Sequence, residues 1–107
     1  MNWPDLDERR AKRIEGNGFT IYLFFPHGVR YRDAAHVLTL SSEPLLEEDE
    51  RKKRRWLRGI YLPSSLRWDD GVSVTSVDEQ LVLERMKAAL QEKAEHYKFI
   101  QRDDVHS

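Results

Sequence analysis

The 107-residue chain contains no cysteine. That absence removes disulfides, thiolate catalysis and cysteine-ligated zinc together, and it suits a cytoplasmic setting. Glycine is sparse as well: the five glycines are scattered, so no glycine-rich phosphate loop exists. Ser64 and Ser65 stand in no G-x-S-x-G setting. Long apolar runs are missing too. MNWPDLDERRAKRIEG holds no apolar stretch of secretory-signal length, and no segment approaches the span of a bilayer, so a cytoplasmic protein with no membrane partner is expected. Finally, no charge of one sign prevails. Against 18 basic residues stand 19 acidic ones, leaving a net charge of -1 and no long-range pull on nucleic acid.

What the chain does have is a single-domain length and aromatic apolar runs. Hydrophobic residues make up 39% and charged residues 35%, enough for one modest core across residues 1–107. Asp5 and Glu8 have the spacing of a weak capping box and Gly16 to Gly18 form a stop, which predicts a marginal N-terminal helix within a loosely attached arm, residues 1–16. Trp3 falls on that arm. FTIYLFF at 19–25, VRYRD at 29–33 and AAHVLTLSS at 34–42 are β-branched and aromatic or alternate in polarity, and PHG turns between the first two. They predict a three-strand meander that Pro44 ends. GIYLP at 59–63 adds a fourth strand, and DDG at 69–71 has the composition of a turn in which Asp accepts backbone hydrogen bonds and Gly takes positive φ. Ser76 and Glu79 box the start of an amphipathic helix to about Glu95, with Val82, Leu83, Met86, Ala89, Leu90, Ala94 and Tyr97 on one arc. HYKFIQ suits a short closing strand. The expected class is α+β: a small antiparallel sheet of four to five strands packed by a C-terminal amphipathic helix.

The most distinctive stretch is EEDERKKRRW at 47–56, four acids followed by five bases and a tryptophan. If residues 45–56 are helical, each acid precedes its base by four residues, giving four matched pairs worth about 0.2–0.5 kcal/mol each. A self-neutralised helical or flexible insert is one expectation. The alternative is a nucleic-acid patch in which Arg51, Lys52, Lys53, Arg54 and Arg55 hold phosphates and Trp56 stacks on a base, which requires the acids to point elsewhere.

Other chemistry is thin. His27, His36, His96 and His106 share no ligand spacing, so no metal is expected. Asp69 and Asp70 admit an acid/base or cation-binding reading beside the turn reading. Trp68 follows an apolar strand and suits the edge of a core, whereas Trp56 leaves a charged stretch and suits a contact.

HGVRYRD, then SSEPLL, GIYLPSSLRWDDG, VLERMKAALQEK and YKFI, in that order, resemble a bacterial small-protein family, immunity protein 74, associated with polymorphic toxin systems. The likeness covers roughly residues 18–101. Its most specific part runs from Ile60 to Gly71, with Ser65, Leu66, Arg67 and Trp68 before two acids and glycine. The segment before Gly16 and the insert 47–55 lie outside it. The resemblance implies a non-enzymatic protein that binds and blocks a toxin, and it carries no catalytic residues and no cofactor with it. Contacts are then expected on the sheet face or on the 26–33 and 64–71 turns, with Arg30, Arg32, Trp56, Trp68, Asp69 and Asp70 as candidates. The oligomeric expectation is a monomer, or a homodimer through an edge left open by the uncharged FTIYLFF strand. Beside the partner-binding and nucleic-acid readings stands a plain structural or interaction role.

Overall fold

The computed structural model describes residues 6–102. Seven strands form two sheets. The first is an antiparallel meander of β1 (Lys12–Glu15), β2 (Phe19–Leu23), β3 (Val29–Asp33) and β4 (Val37–Leu40), adjacent in that order. The second joins β5 (Ser42–Glu48), β6 (Arg54–Pro63) and β7 (Tyr97–Arg102), with β6 central. One helix, α1 (Ser76–Glu92), separates β6 from β7. Because parallel neighbours need a crossover, this helix lets β7 pair with β6 in parallel while β5 and β6 form an antiparallel hairpin. The expected α+β class stands.

Alternation explains the core. Phe19, Ile21 and Leu23 of β2 and Val29 and Tyr31 of β3 point to one side, where Ile21, Val29 and Tyr31 are essentially inaccessible. Val82, Met86, Ala89 and Leu90, spaced for one helical face, close over them with Ile60 from the second sheet. Tyr31 fastens the layers: its hydroxyl donates to Asp33 Oδ2 at 2.7 Å and accepts from Arg85 Nη1 of α1 at 2.6 Å. Burial and the Asp33 hydrogen bond push the Tyr31 phenol up to about 12.

Several expectations change in the structure. Among the described residues of the expected N-terminal helix, Glu8–Arg10 form a single 3-10 turn and Lys12–Glu15 form β1, because Ile14 supplies one buried residue and an alternating charged strand needs no more; the expected Asp5 cap lies outside the described residues. Residues 12–15 are therefore sheet and not a loose arm, while Trp3 and His106 lie outside the described residues. β2 is flanked by β1 and β3, so FTIYLFF offers no free edge for a homodimer. Pro44 does not end the third strand. The chain bends at Ser41 and continues into β5, an edge strand whose ladder tolerates a proline.

Helix α1 is capped by Thr75, one residue before the expected cap; Thr75 Oγ1 accepts from the Asp78 amide at 3.2 Å. It stops at Glu92 because Ala94 adopts φ 54°, with the Glu95 amide bonded to the Leu90 carbonyl and the Ala94 amide to the Gln91 carbonyl. That pairing is a Schellman closure with alanine where glycine is usual, and it leaves Ala94 exposed, off the buried arc.

The insert 45–56 is neither helix nor flexible connection. It is the distal part of the β5–β6 hairpin, with Leu46 opposite Trp56, Glu47 opposite Arg55 and Glu48 opposite Arg54. Residues 47–55 carry no apolar side chain, so a helix there would bury nothing for over two turns, whereas a hairpin tip needs no buried face. Asp49 makes the turn: Oδ1 accepts from the Arg51 and Lys53 amides, each at 2.9 Å. At the hairpin's base Gly59 has a packing reason, since a Cβ there would meet Leu45 Cδ1 at 2.6 Å and Ile100 Cδ1 at 3.1 Å.

Candidate functional site

The candidate contacts divide into two surfaces. On the outer face of the first sheet, the alternation that sends Val29 and Tyr31 inward sends Arg30 and Arg32 outward. Both meet Glu8 of the 3-10 turn: Arg30 Nη1 lies 2.9 Å from Glu8 Oε2 and Arg32 Nη2 bonds the same oxygen. Burial alone would raise the Glu8 carboxyl, but the Arg30 and Arg32 hydrogen bonds prevail and hold it below its ordinary value. Arg30 Nε also donates to Thr39 Oγ1 at 2.9 Å, and the guanidinium lies 5.2 Å from the Phe24 ring centroid.

Asp69 completes this network from the loop after β6. It accepts from the Thr39 amide at 2.8 Å and from Thr39 Oγ1 at 2.7 Å, while its own amide donates to the Val37 carbonyl at 2.8 Å. Val37 and Thr39 lie on the open edge of β4, so Asp69 does for that edge what a neighbouring strand would do. Both carboxylate oxygens are occupied, which opposes acid/base or cation chemistry there. Asp70 takes the turn role: Oδ1 accepts from the Val72 amide at 2.9 Å, and Gly71 adopts φ 92°.

These contacts tie several of the expected partner residues into the framework. Arg30 (side chain 13% exposed) and Asp69 are turned inward on each other and on Glu8 and Thr39. Trp68 is a core residue, 4% exposed, and its accessible side is covered by the His36 ring, stacked at 4.2 Å and 10°. Arg32, Asp69 and Asp70 of this group remain exposed, Asp69 with its carboxylate already bonded to Thr39.

The hairpin is the opposite case. None of residues 43–58 is buried. Counting outward from the buried Ser42 and Ile60 pair, alternation places Pro44 and Leu46 of β5 and Arg58, Trp56 and Arg54 of β6 on one face. Trp56 is 63% exposed, Leu46 46%, and Phe25 on the neighbouring loop 86%. Phe25, Pro26, Pro44, Trp56 and Arg58 share one shallow hollow of about 200 Å³. Arg58 ties the loop to the hairpin, with Nη1 donating to the Phe24 carbonyl at 2.8 Å and reaching Ser42 Oγ at 3.3 Å; burial lowers its pKa.

The charge run behaves unlike the helical expectation. Glu47 pairs with Lys98 of β7 at 2.6 Å, and Asp49 is engaged by turn amides. Among the described residues Arg51, Lys52, Lys53, Arg54 and Arg55 have no ion pair within 4 Å. Acids and bases still face each other across the ladder, so the field is dipolar, acidic on β5 and basic from the tip along β6.

Sequence reasoning named Trp56 but missed Phe25 and Leu46. A signal for Leu46 existed: extending the strand alternation through Pro44 puts it level with Trp56 on the hairpin. Among the described residues no three His, Asp or Glu side chains gather as metal ligands, and no helix is long and apolar enough to cross a membrane. No family model, curated protein or solved structure matches the chain.

Proposed function

We propose that this protein is a non-enzymatic binding domain that docks a partner protein on the β5–β6 hairpin, and that the partner is a toxin whose activity docking blocks. The observation that carries the reading is the exposed set Phe25, Leu46 and Trp56 on one face, two of its three members aromatic, beside a dipolar charge ladder. Aromatic side chains left in water on a rigid ladder are the usual anchors of a protein interface, and flanking charges set register and encounter rate more than affinity. Toxin as the partner's identity rests on the resemblance to the immunity family. Co-expression with toxins encoded beside the gene tests it: growth returns with the wild type and is lost with Trp56→Ala. Toxicity unchanged by the wild type against each of them contradicts the toxin assignment.

A second reading has its own support, because the five tip bases have no ion pair among the described residues and sit beside an exposed tryptophan. Residues 43–58 carry five acids against six bases, however, so the hairpin as a whole repels phosphates nearly as much as it attracts them. Binding to DNA or RNA that weakens by orders of magnitude between about 50 and 200 mM salt favours this reading, and no mobility shift at low salt removes it.

A further inference from the structure

A second site is separate from the hairpin face and does not depend on it. Where the two sheets part, between the end of β4, the end of β6 and the 64–71 loop, lies a cleft of about 300 Å³. That is the lower end of the range for small-molecule sites. Arg67 enters it from the loop and Arg102 from the end of β7. Neither guanidinium has a carboxylate within ion-pair distance among the described residues. Each is nevertheless oriented. Arg102 lies 4.7 Å from the Tyr61 ring centroid, and Arg67 Nη1 donates to the Gly71 carbonyl at 3.0 Å and reaches Ser73 Oγ at 3.3 Å.

The remaining polar lining points the same way. Ser41 and Ser65 line the cleft, and their hydroxyls have no hydrogen-bond partner among the described residues. The one acid in the wall, Asp69, has both oxygens committed to Thr39. Glu43 borders an adjoining hollow that shares Ser41, Tyr61 and Arg102, and it accepts the Tyr61 hydroxyl. Two oriented cations from separate elements and two serines therefore line one cleft where the local acids are already engaged.

We propose that this cleft binds a small phosphate monoester. A planar carboxylate is satisfied by one guanidinium in a bidentate pair, whereas a terminal phosphate presents three oxygens in different directions and more charge, matching two arginines and two hydroxyls. Tyr61 and Pro63 supply the less polar wall for the group the phosphate carries.

The test is a titration of the isotope-labelled full chain with phenyl phosphate, with benzoate and benzyl alcohol run alongside, following backbone amide shifts. Saturable shifts confined to Ser41, Ser65 and Gly71 with phenyl phosphate are expected, with a Kd of about 1 mM or tighter. Arg102→Gln is the decisive variant, since the Arg102 side chain makes no hydrogen bond among the described residues and the substitution keeps its backbone place beside Pro63, and it should weaken binding roughly tenfold or more. Arg67→Gln should weaken it similarly, and Arg51→Gln on the hairpin should leave it unchanged. Failure to saturate by about 10 mM overturns the proposal. So does equal or tighter binding of benzoate, or a Kd that Arg102→Gln leaves within about twofold while thermal unfolding stays unchanged.

Discussion

Arg30 and Arg32 belong to a five-residue strand, Arg51 to Arg55 to a hairpin tip and the strand that leaves it, and the same side chain serves opposite ends in the two places. On β3 the guanidinium groups meet a carboxylate that a one-turn helix brings over the sheet, and Arg30 also meets Thr39 and Phe24. On the hairpin Glu47 is drawn to Lys98 and Asp49 to turn amides, and the bases have no ion pair among the described residues. The tryptophans divide likewise, Trp68 at 4% exposure and Trp56 at 63%. Residue type does not separate framework from free surface here. What separates them is whether a partner lies within reach of the same fold.

The largest effect that sharpens this contrast comes from the tryptophans. Trp68→Ala should cost about 3–5 kcal/mol by emptying core volume, while Trp56→Ala should stay within about 0.5 kcal/mol, measured by urea unfolding. Comparable losses in the two variants would break the division. Next comes the edge of β4. Asp69→Ala leaves the Thr39 amide without its acceptor and should cost about 1–3 kcal/mol, against about 0.5 kcal/mol or less for Arg55→Ala.

Acid should act on the framework side. The Glu8 carboxyl lies below its ordinary 4.5 and the Asp33 carboxyl below its ordinary 3.8, where burial is outweighed by hydrogen bonds from Tyr31 and the His36 and Ala35 amides. A depressed folded value means the unfolded chain takes up the proton first, so each group's contribution is present above its ordinary value and is lost as pH falls through the folded one. Thermal midpoints should therefore drop below pH 4.5 in the wild type and drop less in Glu8→Gln. An identical acid profile in the variant would remove Glu8 from the account. The smallest effect is a gain. Ala94→Gly relieves a left-handed alanine in the Schellman closure and should add about 0.5–1 kcal/mol in the same unfolding measurement.

Local patterns were legible where local chemistry decides. The three-strand meander, the amphipathic stretch of α1 and the DDG turn all follow from alternation, capping and turn residues, and each is present. The hairpin was not legible, because acids four residues before bases fit a helix and acids mirrored by bases fit a ladder equally well. The lack of any apolar residue between Glu47 and Arg55 was the discriminating signal. The commitment of Arg30 and Asp69 was hidden for a different reason: their partners, Glu8 and Thr39, are 22 and 30 residues away in the chain, and no spacing rule reaches that far. A still longer separation hid the pairing of β7 with β6 across α1.

The central claim is that the hairpin face docks a protein, and quantitative affinity capture from the native host with three baits tests it most directly: wild type, Phe25→Ala/Trp56→Ala and Arg32→Ala. The account predicts a protein retained in stoichiometric amount by the wild-type and Arg32→Ala baits, and reduced about thirtyfold or more on the double variant while its unfolding midpoint is unchanged. Equal retention by all three baits, or no protein retained above background by the wild type, would contradict it.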